Sequence, residues 1–100
     1  MTGTQKKTRN DDDKAAAKIS VDRVQTGVRI EKRILKVLKG IAEYYDISVG
    51  ELIEGIVLHS FDGHSAFDEG AVKRIAQLKA IYNLDLDSSA SHRLTDKNGG

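Results

Sequence analysis

Residues 23–30 alternate between apolar and polar side chains as a β-strand does, and no other segment of this chain does so convincingly. One parity holds Val24, Thr26, Val28 and Ile30, and the other holds Arg23, Gln25, Gly27 and Arg29. A period of two places the first set on a buried face and the second set toward solvent. A lone strand cannot satisfy its own backbone N–H and C=O groups. The simplest partner is the same strand of a second copy, so the sequence predicts a homodimer that shares a two-stranded antiparallel ribbon.

The outward side chains of this segment are chemically suited to nucleic acid. Arginine forms bidentate hydrogen bonds with guanine, glutamine does so with adenine, and a two-stranded ribbon fits the DNA major groove. The outer face of the predicted ribbon carries Arg23, Gln25 and Arg29, so the pattern favours contact with double-stranded DNA. The alternative is an ordinary half-buried strand with a solvated outer face.

The chain is short and contains no cysteine, which limits how it can be stabilised. Among its 100 residues, apolar periodicity is missing up to Lys18, and the last stretch is polar. We therefore expect a disordered N-terminal arm and a flexible tail. A core built from the remainder is marginal without disulfides, metal or oligomerisation. Since disulfides and thiolate metal sites need cysteine, oligomerisation remains.

Charge is distributed unevenly along the chain, although the net charge is only +1. Between Arg23 and Lys39 there are six basic residues and one acidic residue, which gives +5. Between Glu43 and Gly70 there are seven acidic residues and no lysine or arginine, which gives −7. Such polarity orients a protein on a polyanion, and two solvated faces of unlike sign are the alternative.

Three amphipathic helices are predicted after the strand. They extend from near Glu31 to Tyr45, from Ser48 to Phe61, and from Asp68 to Tyr82. The first has no Ser, Thr, Asp or Asn to cap its start, whereas the second has the S-x-x-E capping box of Ser48 and Glu51. The first turn of the second helix also suits a phosphate, because Gly50 permits close approach to backbone N–H groups. A purely structural cap is the alternative role of Ser48.

Taken in order, these segments resemble a known DNA-binding family. The pattern consists of the strand V-Q-T-G-V-R-I, a helix with I-L-x-x-L-x-x-I-A, the turn D-I-S-V-G and the helix E-L-I-E-G-I-V. With this order and gapless spacing, residues 24–61 resemble the ribbon-helix-helix family of Arc-like and methionine-repressor-like proteins. The resemblance implies a mainly α fold with one short strand, in which two intertwined chains share the ribbon. The third predicted helix lies outside this pattern and is an additional C-terminal helix. It also implies base contacts from Gln25, Gly27 and Arg29.

The resemblance and the charge pattern together predict contacts with DNA phosphates. Backbone amides at the start of the second helix hold a phosphate in this family, which corresponds here to Ser48, Val49 and Gly50. Basic side chains of the strand, the first helix and the arm are expected to neutralise further phosphates: Arg23, Lys32, Lys6, Lys7 and Arg9. Binding should therefore weaken steeply with salt.

The leading prediction is a sequence-specific transcriptional regulator, most simply a bacterial repressor that binds the nucleoid as a dimer or as dimers in tandem. No apolar run approaches a membrane span and no signal-peptide core is present, so we expect a cytoplasmic protein without a membrane partner. The ranges assigned are 1–20 for the arm, 21–62 for the DNA-binding and dimerisation core, 63–87 for the loop and third helix, and 88–100 for the tail.

Two other functions fit the same residues. One is an antitoxin or plasmid-maintenance factor whose third helix binds a protein, and the other is a helical interaction protein that does not bind DNA. Catalysis is not expected, because the three histidines, His59, His64 and His92, have no cysteine beside them. Neither a cofactor nor a metal ion is predicted; the spacing of His59 and His64 around Asp62 is poor for a metal.

Overall fold

The structure, a computed structural model, describes residues 17–97. In this range the chain forms three α-helices and one short 3-10 turn. The helices are α1, Lys32–Tyr45; α2, Val49–Phe61; and α3, Glu69–Ile81; the turn is Ser88–Ala90. The three helices confirm the helical segments predicted from the sequence, with ends that agree to within a residue or two. The predicted arm falls almost entirely outside the described residues, and Lys6, Lys7 and Arg9 lie there.

The predicted ribbon is wrong. Residues 17–30 form no strand, and every one of them is exposed. Side chains expected on a buried face lie in solvent, since Val24 is 85% exposed and Val28 is 73% exposed. A strand is stabilised by hydrogen bonds to a neighbouring strand. Residues 17–97 contain no strand that could provide these hydrogen bonds. The fold is therefore helical, and the predicted intertwined ribbon dimer is wrong.

Glu31 begins α1 by an arrangement that the sequence did not predict. Its Oε1 accepts hydrogen bonds from the backbone N–H groups of Arg33 and Ile34, at 2.9 and 3.0 Å. Its Oε2 accepts from Nε of Arg33 at 2.9 Å. Burial alone would raise the pKa of Glu31, but the hydrogen bonds from Ile34 and Arg33 outweigh it and hold the pKa below the ordinary 4.5.

A glutamine at position 31 should make stability less dependent on pH. Because folding lowers the pKa of Glu31, its stabilisation is present above pH 4.5 and is lost as the pH falls through the lowered value. We expect Glu31→Gln to reduce the free energy of unfolding by about 0.5–1 kcal/mol at neutral pH, and by much less in acid. Urea unfolding at both pH values measures this, with Glu43→Gln on the exposed end of α1 as the control. Equal losses at both pH values would contradict a charged cap.

All three helices end in the same way. The chain turns into the left-handed region at Asp46, Gly63 and Asn83, where φ is 57°, 75° and 56°. In α1, the N–H of Ile47 donates to the carbonyl oxygen of Ala42 at 3.0 Å, and α2 and α3 have the equivalent bond. These Schellman motifs satisfy helix-end carbonyls and reverse the chain direction. They fold the three helices back on one another.

Helices α1 and α3 pack antiparallel. Residues of the two helices meet in pairs whose numbers run in opposite directions: Lys36 with Tyr82, Gly40 with Leu78, and Tyr44 with Arg74. A Cβ atom built on Gly40 would lie 2.9 Å from Cδ2 of Leu78, so the glycine lets the two helices approach closely.

The core is small and lies between α1 and α2. Its buried residues are Val37, Ile41, Ala42 and Leu52. Half-buried residues of all three helices pack around it, together with Leu84. Helix α2 is apolar on most sides, yet it contributes only one buried residue to the core. Two of its large apolar side chains lie in solvent, with Leu58 63% exposed and Phe61 80% exposed. A helix that is apolar all round is normally covered on all sides.

Candidate nucleic-acid interface

The basic residues predicted to meet DNA are accessible. We call this set, Arg23, Arg29, Lys32, Lys36 and Lys39, the basic face; every member is exposed. The three lysines follow one another at four and three residues along α1, so they share one side of that helix. Arg29 lies three residues before Lys32. It belongs to residues 17–30, which form no helix, strand, turn or bend and which we call the extended segment. The chain therefore presents five exposed cationic side chains within 17 residues, from 23 to 39.

Arg23 holds a carboxylate in a bidentate pair. Its Nε and a terminal nitrogen donate to Oε2 and Oε1 of Glu54, at 2.7 and 2.8 Å. The hydrogen bond to Glu54 raises the pKa of Arg23, and its counterpart lowers the pKa of Glu54. The pair fastens the extended segment to α2. It also occupies the two donors that would otherwise recognise phosphate or guanine.

Two further arginines are paired with residues that follow α3. A terminal nitrogen of Arg29 lies 2.8 Å from Oδ2 of Asp96. A terminal nitrogen of Arg33 donates to Oδ1 of Asp85 and to the carbonyl oxygen of Asn83, each at 3.0 Å. The hydrogen bond to Glu31 is the main cause that raises the pKa of Arg33. Carboxylates thus occupy all three of these guanidinium groups.

The predicted base-contacting residues lie on the extended segment, where Arg29 is paired with Asp96. Gln25, Gly27 and Arg29 are all exposed. A Cβ built on Gly27 would meet nothing within 4 Å, so packing in the chain does not require glycine there. Base contact by these residues stays a prediction.

The start of α2 is capped by its own side chains. The Oγ of Ser48 accepts from the N–H of Glu51, and Oε1 of Glu51 accepts from the N–H of Ser48, both at 3.1 Å. This confirms the capping box. It also gives Ser48 the structural role that the sequence left open, and places a carboxylate beside any incoming phosphate. A phosphate held by Ser48, Val49 and Gly50 stays a prediction.

Comparisons with protein-family models, with curated proteins and with solved structures gave no match to this chain. The resemblance to the ribbon-helix-helix family therefore rests on the quoted sequence segments alone. Functional conclusions have to come from the side chains themselves and from the surfaces that they form.

A concave region lies beside α2. It is a cavity of about 260 Å³ between α2 and the start of α3, lined by apolar side chains such as Leu52 and Phe67, with His59 also in its wall. Nδ1 of His59 is 2.7 Å from the carbonyl oxygen of Gly55, so this nitrogen carries the hydrogen. Residues 17–97 contain no group of three His, Asp or Glu side chains placed to hold a metal ion. The same range has no helix long and apolar enough to cross a membrane.

The sequence did not predict which acidic residues pair with the arginines. Glu54 lies 31 residues from Arg23, and Asp85 lies 52 residues from Arg33. A pattern that repeats every two or four residues carries no information about such contacts. The only sequence signal for Glu54 was the acidic excess between Glu43 and Gly70, which predicts attraction to the basic segment without naming pairs. Asp85 lies outside that segment and had no such signal.

Proposed function

We propose that this chain is a DNA-binding transcriptional regulator, acting as a cytoplasmic repressor, that binds duplex DNA through the basic face. The main support is that two exposed arginines on an extended segment lead directly into the exposed lysines of α1. An extended segment is narrow enough to lie in a DNA groove while the adjoining helix follows the phosphate backbone. This mode needs no pairing of strands.

Each part of the basic face has a distinct role in this proposal. Arg29 and Gln25 contact base edges, and Gly27 between them lets the backbone approach the floor of the groove. Arg23 and the lysines contact phosphates, which fix position and orientation without carrying sequence information. Affinity then falls with salt, while base preference depends on few side chains.

A second copy of the chain completes the proposed regulator. The outer face of α2 carries exposed apolar side chains, namely Ile53, Val57, Leu58 and Phe61. Burying them against the same face of a partner supplies the apolar area that the small core lacks. Two copies also bring two basic faces to one DNA molecule, which raises the affinity through effective concentration.

Arg29→Ala tests the proposed base contact. We expect it to weaken binding to the preferred sequence by about 1–3 kcal/mol and to relax the base preference at one position. Selection from randomised duplex DNA identifies the preferred sequence, and fluorescence anisotropy at two salt concentrations measures the affinity. Arg74→Ala is the control, because Arg74 lies on α3 over the ring of Tyr44, outside the basic face. An Arg29→Ala protein with unchanged preference would contradict the assignment.

A second candidate function is that of an antitoxin-like regulator that also binds a protein. Helix α3 exposes two large apolar side chains, with Val72 at 53% and Ile81 at 67%. These residues offer a surface that a different protein covers, leaving the basic face available for DNA. Purification from native cells together with a second protein in equal amount favours this candidate over a simple repressor.

A further inference from the structure

The segment that follows α3 returns to the start of α1. We call residues 82–97 the C-terminal strap. The chain reverses at Asn83, and Leu84 packs against the core. Farther along, Leu94 lines a cavity with Ile34 of α1 and also a second cavity with Arg29. The strap therefore lies across the junction between the extended segment and α1.

The strap places two carboxylates on two arginines of this junction. Asp85 lies 3.0 Å from a terminal nitrogen of Arg33, and Asp96 lies 2.8 Å from one of Arg29. The basic residue Arg93, by contrast, donates to the Ser89 carbonyl oxygen within the strap at 3.0 Å. The strap thus presents acceptors, rather than donors, to the guanidinium groups.

We propose that the C-terminal strap is an autoinhibitory element whose carboxylates occupy Arg29 and Arg33 in place of the phosphate and base acceptors of DNA. This inference rests on the proposed function, because Arg29 belongs to the basic face and Arg33 follows Lys32 directly in α1. A carboxylate and a phosphate compete for the same guanidinium donors, so a phosphate that takes the nitrogen now facing Asp85 or Asp96 must displace that carboxylate. DNA binding through these two nitrogens therefore requires that the strap be released.

The contacts of the strap are those of a competitor that can be displaced. The side chain of Arg29 is 80% exposed and that of Asp85 is 81% exposed, so both pairs lie in water. Exposed ion pairs contribute little to folding and are screened by salt. Cavities of about 360 and 330 Å³ remain along the strap, at Arg29 and at Ile34. A polyanion with many phosphates can therefore displace two isolated carboxylates.

Neutralising the two carboxylates tests the proposal. We expect the double variant Asp85→Asn, Asp96→Asn to bind a labelled duplex DNA about tenfold more tightly than the wild type at low salt. The control is Asp46→Asn, Asp62→Asn, which makes the same change in net charge at helix ends outside the strap. Asparagine tolerates the left-handed conformation of Asp46, so the control keeps the fold. The control is expected to gain much less affinity than the strap variant.

Amide hydrogen exchange of the wild-type protein gives a second measurement that needs no variant. Exchange in residues 84–97 is expected to speed up when duplex DNA is added, because the strap is released. Exchange that is unchanged or slower would overturn the inference, as would equal affinities of the strap and control variants. In either case wild-type binding to DNA would leave the proposed function intact. If no protein bound duplex DNA even at low salt, the proposed function and this inference would both be wrong.

Discussion

Replacing Phe61 with aspartate is expected to convert the proposed homodimer into monomers. Phe61 is 80% exposed in the single chain and lies in the last turn of α2, next to the exposed Leu58. Large aromatic side chains at the centre of an interface are commonly worth 2 kcal/mol or more, so we expect the dissociation constant to rise at least about thirtyfold. The substitution also places a charge in an apolar contact, which adds to the loss.

Sedimentation equilibrium over a range of concentrations measures this change. Ile81→Asp is the matched control: Ile81 is 67% exposed, equally apolar, and lies on α3. We expect the control to dimerise as the wild type does, and both variants to keep their helix content by circular dichroism. Dimers that persist in Phe61→Asp, or a wild type that is monomeric throughout, would show that the outer face of α2 does not join two copies.

The helices could be predicted because their signals are local. Apolar spacing along α1 and the Ser48–Glu51 capping box depend only on neighbouring residues, and the structure confirms both. The cap of α1 was missed because glutamate is an unusual N-cap. Glu31 serves because its longer side chain reaches two N–H groups while it also pairs with Arg33.

The prediction of a strand was wrong because an alternating sequence describes only the pattern of side chains. It does not supply the neighbouring strand that backbone hydrogen bonds need. Val24 and Val28 are spaced as strand residues, yet both lie in solvent in the described chain. What holds residues 23–30 in place is a set of side-chain pairs, Arg23 with Glu54 and Arg29 with Asp96. Those pairs depend on where α2 and the C-terminal strap lie. Their positions follow from the tertiary fold, which a local pattern does not encode.

The sequence predicted which residues form the candidate site, but not which of them are already paired with carboxylates. The sequence identified Arg23, Arg29 and Lys32 as basic residues at one end of the molecule, and the structure places all three in solvent. It did not predict that carboxylates already occupy the two arginines. The lysines of α1 differ in this respect: among the ion pairs of the described residues, none involves Lys32, Lys36 or Lys39. They are the cations best placed to meet phosphates without first losing a carboxylate.

Replacing Lys32 and Lys36 with glutamine should therefore lower DNA affinity strongly. A dimer loses four cations, and each phosphate contact contributes about 0.9 to the slope of log K against log salt concentration. The slope is expected to become shallower by about 3.6, which corresponds to an affinity loss on the order of a thousandfold at about 0.1 M salt. Base preference should stay the same, because these side chains contact phosphates and not bases.

The matched control is Lys73→Gln, Lys79→Gln, which removes the same charge from α3. A general effect of net charge would lower the affinity of both variants alike, whereas contact at the basic face lowers only the first. Anisotropy titrations at several salt concentrations separate these outcomes, because the slope counts the phosphates that are neutralised. Equal slopes for the two variants would move the DNA-binding surface away from α1. A loss of slope confined to Lys32 and Lys36 would establish that the exposed lysines of α1 lie along the phosphate backbone.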